Sequence, residues 1–175
     1  MVTTQPRTKH MMAMPKITKV VLNTGVGRIM NQAKNQKEVL ENITRLFGML
    51  SGQKPEVVIT TKSIATFKLR KGMPVGLKVT LRGKRAVDFI QRLVCLVLPR
   101  VRDFRGVEPS GISEHSLTIG FKEHIVFPEI IHENAKVPFS LQATIVSTAK
   151  NKEEAKSFFE SLGIRFSVGS EKKQK

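Results

Sequence analysis

The chain is expected to fold as an α+β domain: an antiparallel-rich sheet with helices packed on one face and the other face left open. Two observations predict this. Strand-like alternation and helix-like spacing are mixed along the 175 residues without strict strand–helix–strand order, which favours helices gathered on one side of a sheet over a doubly wound parallel arrangement. In GLKVTLR, Leu77, Val79 and Leu81 fall on one side of a strand while Lys78, Thr80 and Arg82 fall on the other, so one side covers a core and the other meets water. A chain of this length accommodates one domain with a substantial core. We place it at 15–166, between a short basic tail at 1–14 and a basic tail at 167–175, both expected to be mobile.

Each element has its own signal. PKITKVVLN reads as a first strand, with Thr18, Val20 and Leu22 opposite Lys19, Val21 and Asn23, and TGVG ends it with the turn that Gly25 and Gly27 permit. Val39, Leu40, Ile43, Leu46, Phe47 and Leu50 then recur at helical spacing, with Asn35 and Glu38 placed as an N-terminal cap, and SGQKP stops the helix. EVVITT and GLKVTLR follow as strands separated by a glycine-bearing basic loop. A helix over 84–97 is expected to bury Val87, Ile90, Leu93, Val94 and Val97, with Pro99 closing it. After RVRDFRGV come HSLTIGF, the segment EHIVFPEI and the strand FSLQATIVSTA. In the last helix Asn151 and Glu154 form a capping box, Ala155, Phe158, Phe159 and Leu162 share one face, and Gly163 lies beyond the end. Val20, Leu22, Leu77, Val79 and Leu81 should lie beneath helices containing Leu40, Ile43, Phe47, Ile90 and Phe158.

The charge is uneven. Thirty Lys and Arg against fourteen Asp and Glu give a net charge of +16, and such an excess points to a polyanionic partner. Through Gly106 there are twenty-one basic and five acidic residues, so that part carries the whole excess; from Val107 onward the chain has nine of each. Between Glu56 and Asp88 stand Lys62, Lys68, Arg70, Lys71, Lys78, Arg82, Lys84 and Arg85 without one carboxylate. A merely solvated face usually mixes signs; this one does not. A helix-backed sheet with a polar front resembles the platform of RNA recognition modules, yet the chain has no Tyr or Trp, and no Phe falls inside PKITKVVLN or GLKVTLR. Backbone and ribose contacts, suited to structured RNA, are therefore expected to outweigh base stacking.

Other chemistries find little support. The longest apolar run, LVCLVL at 93–98, is too short to span a bilayer, and MVTTQPRTKHMMAMP lacks an apolar signal core. No membrane partner is expected. Cys95 has no second cysteine to pair with and reads as a core residue of a protein kept in a reducing, cytoplasmic compartment. His10, His115, His124 and His132 are scattered without metal-ligand spacing and read as solvated or loop residues. TGVG and KGMPVG lack the spacing of phosphate-binding loops, and no nucleophile has a base beside it in a recognisable pattern. The chain is expected to be no enzyme and to need no cofactor.

VVLNTGVG, SGQKP, TKSIATFKLRKGMPVGLKVTLRG, LPRVRDFRGV, FKEHIVFPEI and IVSTAK occur in that order and span most of 15–166. Together they resemble the successive blocks of the universal large-subunit ribosomal protein five family, in its bacterial form. That resemblance implies a structural role in the central protuberance, with 5S rRNA, 23S rRNA, the P-site tRNA, other large-subunit proteins of the protuberance and, across an intersubunit bridge, a small-subunit head protein as partners. It assigns 5S rRNA binding to Asn23, Gln53 and Thr80, and an amide or a hydroxyl is suited to a ribose or phosphate. On the residues alone, Asn23 could cap a turn, Gln53 could be a loop residue, and Thr80 an ordinary strand residue. Lys78 and Arg82 share the polar side with Thr80 and join the candidate set. Lys68, Arg70, Lys71 and Gly72 form a cationic tip, with Pro74 and Gly76 beyond it, that should be mobile in the free protein and that the resemblance places near tRNA. Two departures limit the carry-over. The lead before Met14 is shorter than the helical segment of bacterial relatives, and EPSGISEHSLTIG lacks the Asn-Tyr pair usual there, so contacts of the 107–119 loop are not transferred. The rival reading is a stand-alone RNA chaperone or translational regulator with the same basic sheet.

Overall fold

The computed structural model describes residues 14–33, 35–102, 104–130 and 138–167. Most of both expected tails, and the histidines at 10 and 132, lie outside them. The described chain contains β1 (Ile17–Gly25), α1 (Gly27–Gln32), α2 (Gln36–Ser51), β2 (Glu56–Ile59), β3 (Pro74–Leu81), α3 (Lys84–Arg92), β4 (Ser116–Phe121), β5 (Leu141–Ser147) and α4 (Lys152–Ser161). The strands form one five-stranded sheet in the order β2-β3-β1-β5-β4, and every neighbouring pair is antiparallel. The expected α+β class is what the chain adopts.

The half-buried alternation explains the layering. Val20 and Leu22 on β1, Leu77, Val79 and Leu81 on β3, Leu117, Ile119 and Phe121 on β4, and Leu141, Ala143 and Ile145 on β5 are all buried. They form one cluster with Ile43, Phe47 and Leu50 of α2, Ala86, Phe89 and Ile90 of α3, and Ala155 and Phe159 of α4, while Leu40 and Phe158 pack against it half-buried. β1, β3, β4 and β5 thus each turn one side to the helices, whereas the edge strand β2 is exposed at all four residues; in the buried strands a shift by one residue would expose the whole apolar set. Thr18, on the core side by alternation, is exposed because the pairing with β5 slips between Ile17 and Lys19.

Four local expectations are corrected. Val87 is 42 % exposed, and the buried face of α3 runs instead through Ala86, Phe89 and Ile90 to Leu93 and Val97 beyond it. Cys95 is exposed, not core. It sits in a π-turn, Leu93–Val97, whose two ends point inward, so the residue midway between them faces away. Asn151 makes no side-chain cap bond, and Glu154 accepts from the Lys150 N–H at 3.1 Å, one residue earlier than a capping box requires. Asn35 likewise bonds Glu38 through its side chain, at 3.4 Å, rather than capping the backbone of α2. The segment EHIVFPEI forms two 3-10 turns, His124–Val126 and Pro128–Ile130.

A fifth correction is His124, which is fully buried and not a solvated histidine. Its ring lies parallel to Phe139 at 4.1 Å, and its Nδ1 accepts the Phe139 N–H at 3.2 Å. That bond puts the neutral ring's proton on Nε2, which finds no acceptor among the described residues. Burial holds the imidazole pKa below its usual 6.5, against the pull of the Glu123 carboxylate. The unfolded chain therefore takes up this proton first as pH falls. Stability is expected to be full above about pH 6.5 and to decline below it. Melting temperatures measured between about pH 7.5 and 5 should show this fall, and His124→Gln should flatten it from a lower starting stability.

Candidate nucleic-acid interface

The free face of the sheet is assembled by register. Glu56, Lys78, Asn23, Gln142 and Gly120 stand opposite one another across all five strands. The adjoining row on the same face holds Thr80, Val21, Thr144 and Thr118, and the next holds Lys19, Val146 and Ser116. Asn23, Lys78, Gln142 and Gly120 are exposed, and Thr80, Val21, Thr144 and Thr118 half-buried. The structure thus brings Asn23, Lys78 and Thr80 together on one wet surface, as alternation predicts. Arg82 is exposed just past the end of β3. Gln53 is exposed in the turn after α2, and Arg85 donates to its Oε1 at 3.5 Å. Because β2 runs antiparallel to β3 from Glu56, the Gln53 turn and Arg82 lie at the same end of the sheet. With its oxygen engaged, the Gln53 amide presents its NH₂ outward as a donor.

Reading charge along the chain missed one opposing group. Glu56 Oε2 lies 3.3 Å from Lys78 Nζ, both side chains being exposed. Such a surface pair adds little stability, yet it places a carboxylate on an otherwise basic face. Also missed were Gln142 and Thr144, because cross-strand neighbours are made by register and leave no trace in local spacing. Beside Asn23 the face dips into a hollow of about 450 Å³ bordered by Gly25, Gly120, Lys122, Ser140 and Gln142. A side chain at Gly120 would meet nothing within 4 Å, whereas one at Gly76 would lie 2.9 Å from the Thr24 carbonyl oxygen. Gly76 is needed for strand approach; Gly120 keeps the hollow open.

The basic loop between β2 and β3 has its own frame. Its base is closed by the Thr60 N–H donating to the Met73 carbonyl at 2.8 Å and the Gly72 N–H donating to the Thr60 carbonyl at 2.9 Å, and Ile64 and Leu69 exchange bonds of 3.0 and 3.1 Å. Lys71 N–H donates to Ser63 Oγ at 3.1 Å, and Asn31 of α1 donates to the Phe67 carbonyl at 3.1 Å. The six-residue α1, which has no side-chain cap and which the periodicity did not reveal, seats this loop. Lys68, Arg70, Lys71 and Gly72 are exposed on it, away from the rows of the sheet. Backbone hydrogen bonds thus tie both the base of this loop and the turn at its tip.

An open antiparallel sheet, backed by helices and fronted by amides, hydroxyls and cations, is the build of an RNA-binding α+β protein. The family model described as Ribosomal protein L5 matches residues 10–70, and the model for the C-terminus of the same ribosomal family matches residues 74–166. The Large ribosomal subunit protein uL5 of Dehalococcoides mccartyi strain 195 is 46% identical over 160 residues, covering 91% of this chain and 87% of that protein. Those of Thermus aquaticus and Mesoplasma florum are 43% and 45% identical over 153 and 159 residues, covering 87% and 90% of this chain and 82% and 86% of theirs. The chain belongs to the ribosomal protein L5 family, whose members are structural components of the ribosome and not enzymes. No helix among the described residues is long and apolar enough to cross a membrane.

Proposed function

We propose that this ribosomal protein works in the central protuberance of the large subunit, holding 5S rRNA on its open sheet face and meeting the P-site tRNA with its basic loop. The observation that carries this reading is the register that sets Lys78, Asn23 and Gln142 side by side, with Thr80 one row away, on the face opposite the core. A sheet fixes their spacing, which suits a partner held permanently. Arg82 and Gln53 extend the same surface at one end, and Gln142 joins it at the hollow. The loop's Lys68, Arg70 and Lys71 lie apart from those rows and suit a second RNA. Contacts to 23S rRNA, to neighbouring proteins and to the small-subunit head complete the reading, supported by family membership alone.

Cations and neutral polar groups should separate in a salt titration. Affinity for 5S rRNA is expected to fall with salt at a log–log slope of about 0.7 to 0.9 per neutralised phosphate, and Lys78→Ser or Arg82→Ser should each flatten it by about one contact. Asn23→Ala and Thr80→Val should weaken binding by about 0.5–1.5 kcal/mol each, with the slope unchanged. The assignment of roles fails if the neutral substitutions change the slope or the basic ones leave it intact.

A further inference from the structure

Two local exceptions fall side by side at the tip of the basic loop. Phe67 is 66 % exposed and is the one aromatic among the large hydrophobic side chains left exposed in the described residues. Lys68, next to it, is the one non-glycine residue among them with positive φ, at 54°. The Phe67 ring is no part of the buried core. The loop's apolar anchor is Leu69, which is half-buried and reaches to 3.5 Å from the place a side chain on Gly27 would occupy. A lysine in the left-handed region and a phenyl ring in water both run against ordinary preference. They persist because the turn beneath them is over-determined: Lys68 N–H bonds Ala65 O at 2.9 Å, the Ile64–Leu69 bonds flank it, and Asn31 holds the Phe67 carbonyl. Strain kept in place by such a frame is characteristic of contact sites.

We propose that Phe67 is a stacking platform for one exposed base of the RNA that this loop meets, with Lys68, Arg70 and Lys71 taking phosphates around it. The proposal rests on the reading of the loop as an RNA-contact element and adds its recognition chemistry. Three cations within four residues of an exposed ring leave little room for a protein partner's apolar patch, whereas a nucleotide offers a π-face and a negative charge together. The sheet face has no exposed aromatic ring, so the two RNA contacts differ in kind. One reads backbone and ribose; the other adds a base.

The test uses ribosomes assembled with Phe67→Ala, Phe67→Leu or Phe67→Tyr protein, scored for tRNA dissociation from the P site and for chemical reactivity of bases in tRNA and rRNA. Ala and Leu are expected to speed tRNA release about fivefold or more and to raise the reactivity of one base, while Tyr keeps both near wild type. Melting of the free protein should be unchanged in all three, since the ring is mostly exposed. If the newly reactive base lies in rRNA and tRNA release is unaltered, stacking stands and the assignment of this loop to tRNA falls. If Leu serves as well as Phe, or no base changes reactivity with Ala, the stacking proposal is overturned.

Discussion

Replacing Lys68, Arg70 and Lys71 together with serine is expected to leave 5S rRNA binding intact and to loosen tRNA on assembled ribosomes, flattening the salt dependence of tRNA retention by about two to three in log–log slope. The three cations are exposed on a loop that leaves the sheet beyond Ile59 and returns at Pro74. None belongs to the cross-strand rows that carry Lys78, Asn23 and Gln142. The loop's frame is made by backbone groups, Ser63, Thr60 and Asn31, so the substitutions remove charge without removing its supports. Filter retention of tRNA on ribosomes across a salt series, beside 5S binding by the free protein, measures both. Loss of 5S binding with unchanged tRNA retention would exchange the roles of loop and sheet.

Phe47→Ala should destabilise the protein by about 3–5 kcal/mol, the range for emptying a fully buried aromatic site. Phe47 is 0 % exposed in the C-terminal half of α2, in the same cluster as Leu77, Val79 and Leu81. Those residues alternate with Lys78 and Thr80, and the burial that holds the helices to the sheet also keeps the cations on the wet side. Urea unfolding should show a lower midpoint with the denaturant slope retained. At temperatures where the variant stays folded, its 5S affinity should match wild type, because Phe47 touches nothing on the open face. An unchanged midpoint would mean that α2 is not part of the core.

How far the residues announce this arrangement depends on the kind of signal. Leu77, Val79 and Leu81 are legible because a half-buried strand must alternate, and the polar side of β3 follows from the same count. The face of α3 is less so: alanine contributes little apolar signal, so Ala86 is passed over for Val87, which is exposed. In LVCLVL every position is apolar, and periodicity cannot say that Cys95 turns outward. A lone histidine carries no pattern at all, which hides the burial of His124. The candidate surface divides in the same way. Lys78, Thr80 and Arg82 share a strand and are visible together, and the family blocks add Asn23 and Gln53. Gln142 and Glu56 meet the others only through the antiparallel register, and Phe67 becomes conspicuous only once its exposure and the φ of Lys68 are known.

The central claim is that the open face recognises structured 5S rRNA, beyond attracting negative charge. Binding of the purified protein to 5S rRNA in the presence of excess tRNA, compared between wild type and Asn23→Ala/Thr80→Val, tests it most directly. Wild type is expected to keep 5S rRNA against the competitor, and the double variant, with its charge intact, to lose that preference while still binding RNA. If tRNA displaced 5S rRNA from wild type as readily as 5S rRNA itself does, the face would be reading charge alone and the account would be wrong.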